Sequence, residues 1–188
     1  LTILGACLAG VALLGTWASV QWIPSWPGKM TGDPRKVAWT QMFMAVGACT
    51  FTIVVALLAE KFNRRNAYIG LCVVSLLICE ALFLLKPDFG FTFLLLATLA
   101  NGITGGFYGW LPLYLPELFP TRVRATGSGF CFNIGRVIAS AGAIWGGTLL
   151  QQFGGDFPKM CAVTSLIYVF GFVAIAFCPE TKGKPLPE

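Results

Sequence analysis

The stretch LPELFPTRVRATGSG, residues 115–129, decides how this chain is read. It gathers Glu117, Arg122 and Arg124 at one point, with Pro116 and Pro120 among them. The runs on either side, 91–115 and 127–150, are apolar and hold a single charge between them, Arg136. Proline removes a backbone donor and breaks or bends a helix. Charges mark the places where a chain can leave an apolar solvent. The stretch therefore reads as a junction between two membrane-spanning helices.

Working outward, the same alternation repeats along the chain. A helix needs about 20 mostly apolar residues to cross a bilayer. Six runs qualify: about 2–23, 38–59, 67–85, 91–115, 127–150 and 160–178. They are separated by PSWPGKMTGDPRK, EKFNRRN, KPDFG, PELFPTRVRATG and QQFGGDFPK, and PETKGKPLPE follows the last as a tail over 179–188. Runs of this length span as helices; barrel strands are about half as long and alternate in polarity. The expected fold is an all-α membrane protein of six transmembrane helices, with the lipid bilayer as its solvent. Composition agrees. Of 188 residues, 56% are hydrophobic and 11% charged, and the mean hydropathy is +0.76, too little polar surface for a soluble domain to cover itself.

Lysine and arginine set the expected orientation. Lys61, Arg64, Arg65, Arg122, Arg124, Lys182 and Lys184 fall on one side, and Lys29, Arg35, Lys36, Lys86 and Lys159 on the other. The excess places EKFNRRN, PELFPTRVRATG and the C-terminus in the cytoplasm. The net charge of +5 is spread over these junctions, so it reads as membrane topology, with no nucleic-acid partner. The chain opens inside an apolar run, LTILGACLAG, without methionine or a basic n-region, which reads as a truncated start and not as a signal peptide.

Several chemistries are disfavoured. The chain has no histidine, which removes imidazole relays, Ser-His-Asp triads and His-based zinc sites. Its seven cysteines lie in apolar runs without a CxxC pair and read as small hydrophobes, the alternative being a disulfide or metal role. No metal, cofactor or catalytic residue is expected, nor enzyme activity. The absence of GxxxxGK[ST] leaves no ATP site in the chain.

Two charged junctions share a side. Glu60 and Arg64 lie in EKFNRR, while Glu117 closes the fourth span and Arg124 opens the fifth. Paired carboxylates and guanidiniums at helix ends make bidentate contacts, so these four can clip neighbouring helices together; the plainer reading is that the arginines only mark the cytoplasmic face. Pro112 and Pro116 are expected to bend or loosen the fourth span. Gly105/Gly109 and Gly142/Gly146 have the GxxxG spacing of close helix packing.

These residues carry a resemblance. ALLAEKFNRR resembles the D/E-K/R-x-G-R-R/K loop signature of the major facilitator superfamily, in the copy between helices eight and nine. PELFPTRVRATGSG looks like that superfamily's E-x-F-P-T-x-x-R junction between helices ten and eleven. PETKGKPLPE is similar to the PETKG ending of its sugar-porter branch. The resemblance implies the C-terminal six-helix bundle of a twelve-helix secondary transporter, whose N-terminal six-helix half would be the partner of this chain. It also implies that Glu60, Arg64, Glu117 and Arg124 are the intracellular charge relay, locking the halves outward-facing and parting as the carrier turns inward. Asn63 stands where the signature has glycine, and asparagine is the next-best residue for a left-handed turn. The first span lacks the paired glutamines of sugar porters, and proline replaces a tryptophan before Glu117. FPTRVRATGSGFCFNIGR looks closer to proton-coupled carriers of organic acids.

The resemblance implies a plasma-membrane (cell inner membrane) carrier that moves a small polar metabolite, an organic acid or a sugar, by alternating access with a coupling proton. The alternative is a transporter-like receptor or sensor that binds solute without moving it. Candidate substrate and coupling residues follow from polarity inside the spans. Arg136 can receive a substrate carboxylate, pair with an acid from the other half, or snorkel to headgroups. Glu80 can carry a coupling proton, or sit near the interface bonded to a neighbouring helix. Asn101, Asn133, Gln21, Tyr108 and Trp110 can line a midplane cavity, or serve in interhelical bonding and packing.

Overall fold

The structure, a computed structural model, describes residues 1–187, and among these there are helices and turns but no strand. The helices are α1 (Thr2–Ala18), α2 (Ser25–Thr31), α3 (Pro34–Lys61), α4 (Arg64–Leu85), α5 (Phe91–Glu117), α6 (Arg124–Gln152), α7 (Phe157–Ser165) and α8 (Ile167–Ala176). Short 3-10 turns cover Val20–Trp22 and Thr121–Val123. Hydrocarbon offers backbone groups no partner, so each apolar run satisfies its own in a helix. Asp33 and Asp156 accept the N–H of Arg35 at 2.9 Å and of Lys159 at 3.1 Å, capping α3 and α7, each with proline in its first turn.

Among the described residues, five segments are long and apolar enough to cross a membrane: Thr2–Thr31, Pro34–Lys61, Arg64–Leu85, Phe91–Glu117 and Phe157–Ala176. The expected fifth span forms as α6 and has the length, but it falls outside these five. It carries Arg124, Asn133, Arg136 and a terminal glutamine pair among many glycines. The other differences are local. The first long helix stops at Ala18, and α2 occupies part of the expected junction. The sixth span is two helices with a break at Leu166. There Thr164 and Ser165 turn their hydroxyls onto the carbonyls of Met160, Cys161 and Ala162, competing with the helical ladder. Asn63 is extended at φ −64°, so the expected left-handed turn is absent there. Lys86 at φ 43° is the non-glycine residue that adopts the left-handed conformation. Both prolines of α5 are accommodated within one continuous helix.

Packing follows the small residues. The most extensive helix pairs are α3 with α5 and α1 with α6. A Cβ on Gly105 would lie 3.2 Å from Cα of Ala48, and one on Gly47 would lie 2.5 Å from the carbonyl of Thr98. The Thr52 hydroxyl donates to the Gly105 carbonyl at 3.1 Å across this seam. In the other pair, a Cβ on Gly135 would reach within 2.9 Å of the Ala9 backbone. Gly142 sits against Leu14, whereas Gly146 has no close neighbour, so only one member of that GxxxG pair is tightly packed. The core of the bundle is aromatic. Trp110 lies 4.6 Å from Tyr114 and 4.7 Å from Tyr68, ring centre to ring centre, and Phe107 stacks on Tyr168. The Tyr68 hydroxyl donates to the Leu8 carbonyl at 3.0 Å, tying α4 to α1.

Candidate functional site

The charged end of the bundle is built on the turn between α3 and α4. Arg64 is the first residue of α4, and its side chain reaches back across that turn. Its Nη1 donates to the Ala59 carbonyl at 2.6 Å, in the last turn of α3. Its Nη2 and Nε meet the Glu117 carboxylate at 2.7 and 3.1 Å. The pair is bidentate and largely shielded, with side chains 12% and 17% exposed. One guanidinium thus joins the C-terminal ends of α3 and α5 to the start of α4.

A cation at a helix N-terminus opposes the helix dipole. The tail offsets this. The two Glu180 carboxylate oxygens accept the backbone N–H of Arg64 at 3.0 Å and of Arg65 at 3.1 Å, capping α4 from outside its own sequence. Burial pushes the Glu180 carboxyl up, but backbone N–H bonds from Lys182, Arg65, Arg64 and Thr181 outweigh it and hold the group below its ordinary value. Thr181 donates its hydroxyl to Glu117, Lys182 Nζ donates to the Lys61 carbonyl, and the Tyr114 hydroxyl donates to the Pro179 carbonyl at 2.6 Å. The tail is stitched to both charged junctions.

The four-residue cluster expected from sequence is only half assembled. Arg124 does not contact Glu117. Its Nε lies 3.2 Å from the Pro116 carbonyl and 3.3 Å from that of Phe119, and its Nη2 donates to the Pro187 carbonyl at 3.1 Å. It therefore lies against the negative end of α5, adding to the Phe119 N–H already on the Pro116 carbonyl. Glu60 is exposed and forms no ion pair among the described residues, being on the solvent side of α3. Glu180 and Thr181 went unassigned in the sequence, because the partner of the tail carboxylate lies more than a hundred residues away and carries no pattern of its own.

The span residues also part company. Trp110 is fully buried, and its Nε1 donates to the Arg64 carbonyl at 3.0 Å, which places it in the core behind the charged end and not on a cavity wall. Asn101 is half-buried and donates to the Met44 carbonyl at 2.8 Å, bridging α5 to α3. Glu80 is half-buried and bonded to the Ser165 hydroxyl at 2.6 Å, linking α4 to the break between α7 and α8. Gln21 is exposed in the 3-10 turn after α1. Tyr108 is half-buried beside Thr16 and Trp17.

Arg136 lies differently. Its Cα is about 18 Å along α6 from Arg124. It is exposed, its guanidinium carbon lies 5.5 Å from the centre of the Phe132 ring, and no carboxylate pairs with it among the described residues. Asn133, Arg136 and Ser140 are all exposed at i, i+3 and i+7, one polar stripe on α6. The buried residues Gly135 and Ala139 face the neighbouring helices, Gly135 against Ala9 of α1. With Trp17 and Ile144, Arg136 and Ser140 line an open concavity of about 370 Å³.

At the opposite end of the bundle, Lys86 Nζ meets Asp156 at 2.8 Å, joining the end of α4 to the start of α7. The hydrogen bond from Lys86 lowers the Asp156 pKa; burial opposes it, and the Lys159 backbone N–H adds to it.

Apolar spans clasped by charge at both ends, with a lone arginine on an open inner face, define a multi-pass helical membrane protein. The chain belongs to the sugar (and other) transporter family, within the major facilitator superfamily, whose family model matches residues 3–188. It is 37% identical over 166 residues to the inner membrane metabolite transport protein YhjE of Escherichia coli, covering 82% of this chain and 36% of that protein. It is 30% identical over 169 residues to a probable 4-methylmuconolactone transporter of Cupriavidus pinatubonensis, covering 90% and 39%. It is 27% identical over 186 residues to the cis,cis-muconate transport protein of Acinetobacter baylyi, covering 97% and 44%. The chain spans less than half the length of each of these relatives.

Proposed function

We propose that this chain is the C-terminal half of a secondary carrier that moves a small organic anion by alternating access, drawing on a proton gradient. The observation that carries the reading is Arg136: a permanently charged side chain well inside α6, lining an open concavity, with no carboxylate paired to it among the described residues. An unpaired guanidinium at that depth is costly, and a carboxylate ligand compensates it through bidentate hydrogen bonds. On the same stripe Asn133 donates to the Gly129 carbonyl and Ser140 to the Val137 carbonyl, leaving the amide oxygen and the hydroxyl oxygen as acceptors, and Trp17 offers a flat apolar wall. The names of the muconate and muconolactone relatives support an acidic metabolite over a sugar.

The other six-helix half would close the concavity, which this bundle leaves open. The Arg64–Glu117 pair and the tail hold α3, α4 and α5 as one block, so rocking happens between blocks and not within this one. The orientation that fits the arginine and lysine bias has this charged end and the C-terminus in the cytoplasm of a plasma-membrane protein. Our candidate for the coupling proton is Glu80, the half-buried acid that accepts from the Ser165 hydroxyl.

Thermal shift of the full-length protein in detergent tests the site. cis,cis-Muconate is expected to raise Tm, glucose to leave it unchanged, and Arg136→Gln to abolish the muconate effect while leaving ligand-free Tm within about 2 °C. Equal shifts in wild type and Arg136→Gln would remove the anion site from the proposal.

A further inference from the structure

The turn Phe62–Asn63 joins α3 to α4, yet the two helices scarcely pack on each other; each lies against α5 instead. The gap between them is a groove of about 360 Å³ with almost wholly apolar walls. Val54, Leu58 and Phe62 form one wall, Asn66, Gly70 and Val74 the other, and Ile103 of α5 the floor. Gly70 leaves the groove wide, since a Cβ there would meet nothing within 4 Å. From Phe51 to Phe62 the groove runs about 16 Å along α3, half of the roughly 30 Å hydrocarbon core. It therefore has the depth of one leaflet, the one on the side of the Lys61–Asn66 turn.

Its polar mouth is cationic. Lys61 is exposed, and Lys182 is drawn beside it by the bond of its Nζ to the Lys61 carbonyl. Arg65 turns the other way, donating to the Ala176 carbonyl of α8 at 3.0 Å. The nearby acids are mostly committed: Glu117 to Arg64 and Glu180 to the N-terminus of α4, with Glu60 unpaired among the described residues. Apolar depth of one leaflet beneath a positive mouth is the chemistry of an anionic phospholipid, its acyl chain in the groove and its phosphate among Lys61, Lys182 and Asn66.

We propose that this groove is a binding site for one anionic phospholipid of that leaflet. The site stands on the chain's membrane-spanning character and is independent of which solute is carried.

The test is native mass spectrometry of the full-length protein in detergent, titrated with phosphatidylglycerol and, separately, with phosphatidylcholine of the same acyl chains. Wild type is expected to retain phosphatidylglycerol threefold or more over phosphatidylcholine. Gly70→Leu, which fills the groove without a clash, is expected to lose that first phosphatidylglycerol. The double variant Lys61→Gln/Lys182→Gln leaves the apolar walls intact, and should hold the two lipids equally. Equal retention by wild type, unchanged phosphatidylglycerol in Gly70→Leu, or unchanged preference in the double variant would each overturn the proposal. A groove occupied by another part of the protein or by a second copy would show itself as the second of these.

Discussion

Arg64 sits where a cation is least welcome, at the positive end of α4, and three partners make that position tolerable. Glu117 takes its charge, the Ala59 carbonyl takes a further N–H, and Glu180 screens the helix terminus. Glu117→Gln keeps the shape but loses the charge-assisted pair. It is expected to cost about 1.5–3 kcal/mol of stability, read from the Tm of the purified protein, while leaving membrane insertion intact and slowing uptake. Normal Tm and normal uptake would dispose of the clasp. Glu180 makes a pH-dependent contribution of a definite sign. Its folded pKa lies below the ordinary value of 4.5 because the N–H groups it accepts favour the charged form. The stabilisation is therefore complete above that ordinary value and fades as pH falls through the folded one. Glu180→Gln should cost about 1 kcal/mol near pH 7 and progressively less as the medium is acidified below pH 4.5, in paired melting curves.

At the scale of elements, the glycines of α5 do what hydrophobic burial cannot do in a membrane: they let backbones approach until contacts and hydrogen bonds accumulate. Gly109→Leu would force a side chain into the Thr52 backbone and part α3 from α5. We expect a loss of at least 2 kcal/mol, or no recoverable folded protein, against a nearly silent Gly147→Leu, whose Cβ meets nothing within 4 Å. Comparable yields and melting temperatures for the two variants would contradict the close-packed seam. The helical runs were legible because length and hydropathy are properties of a segment by itself, though α6 falls outside the five segments apolar enough to cross a membrane. The break at Leu166 and the early stop at Ala18 were not, since they depend on where hydroxyls and neighbouring helices fall. The charged junctions were legible as clusters, but their pairings were not. Arg124 turned to the carbonyls of Pro116 and Phe119 at the end of α5, and Trp110 looked like a cavity aromatic until its N–H found the Arg64 carbonyl.

For the molecule as a whole, the burial of its helices is uneven. The apolar window of α1 is 67% buried and that of α3 only 22%, and α6 presents Val137, Ile144 and Trp145 to the outside. Surfaces of this kind suit lipid on one side and a second bundle on the other. Co-expression with a matching N-terminal six-helix half is expected to raise the yield of folded chain severalfold over expression alone, measured by size-exclusion of detergent extracts; equal yields would argue against a paired bundle. Arg136 ties that architecture to chemistry, since it faces the concavity such a half would close. The direct measurement is flux of cis,cis-muconate into proteoliposomes containing the full-length protein. Saturable uptake, stimulated by an inward proton gradient and cut at least tenfold by Arg136→Gln, is the predicted result. Binding without flux, or flux that the substitution leaves unchanged, would contradict it.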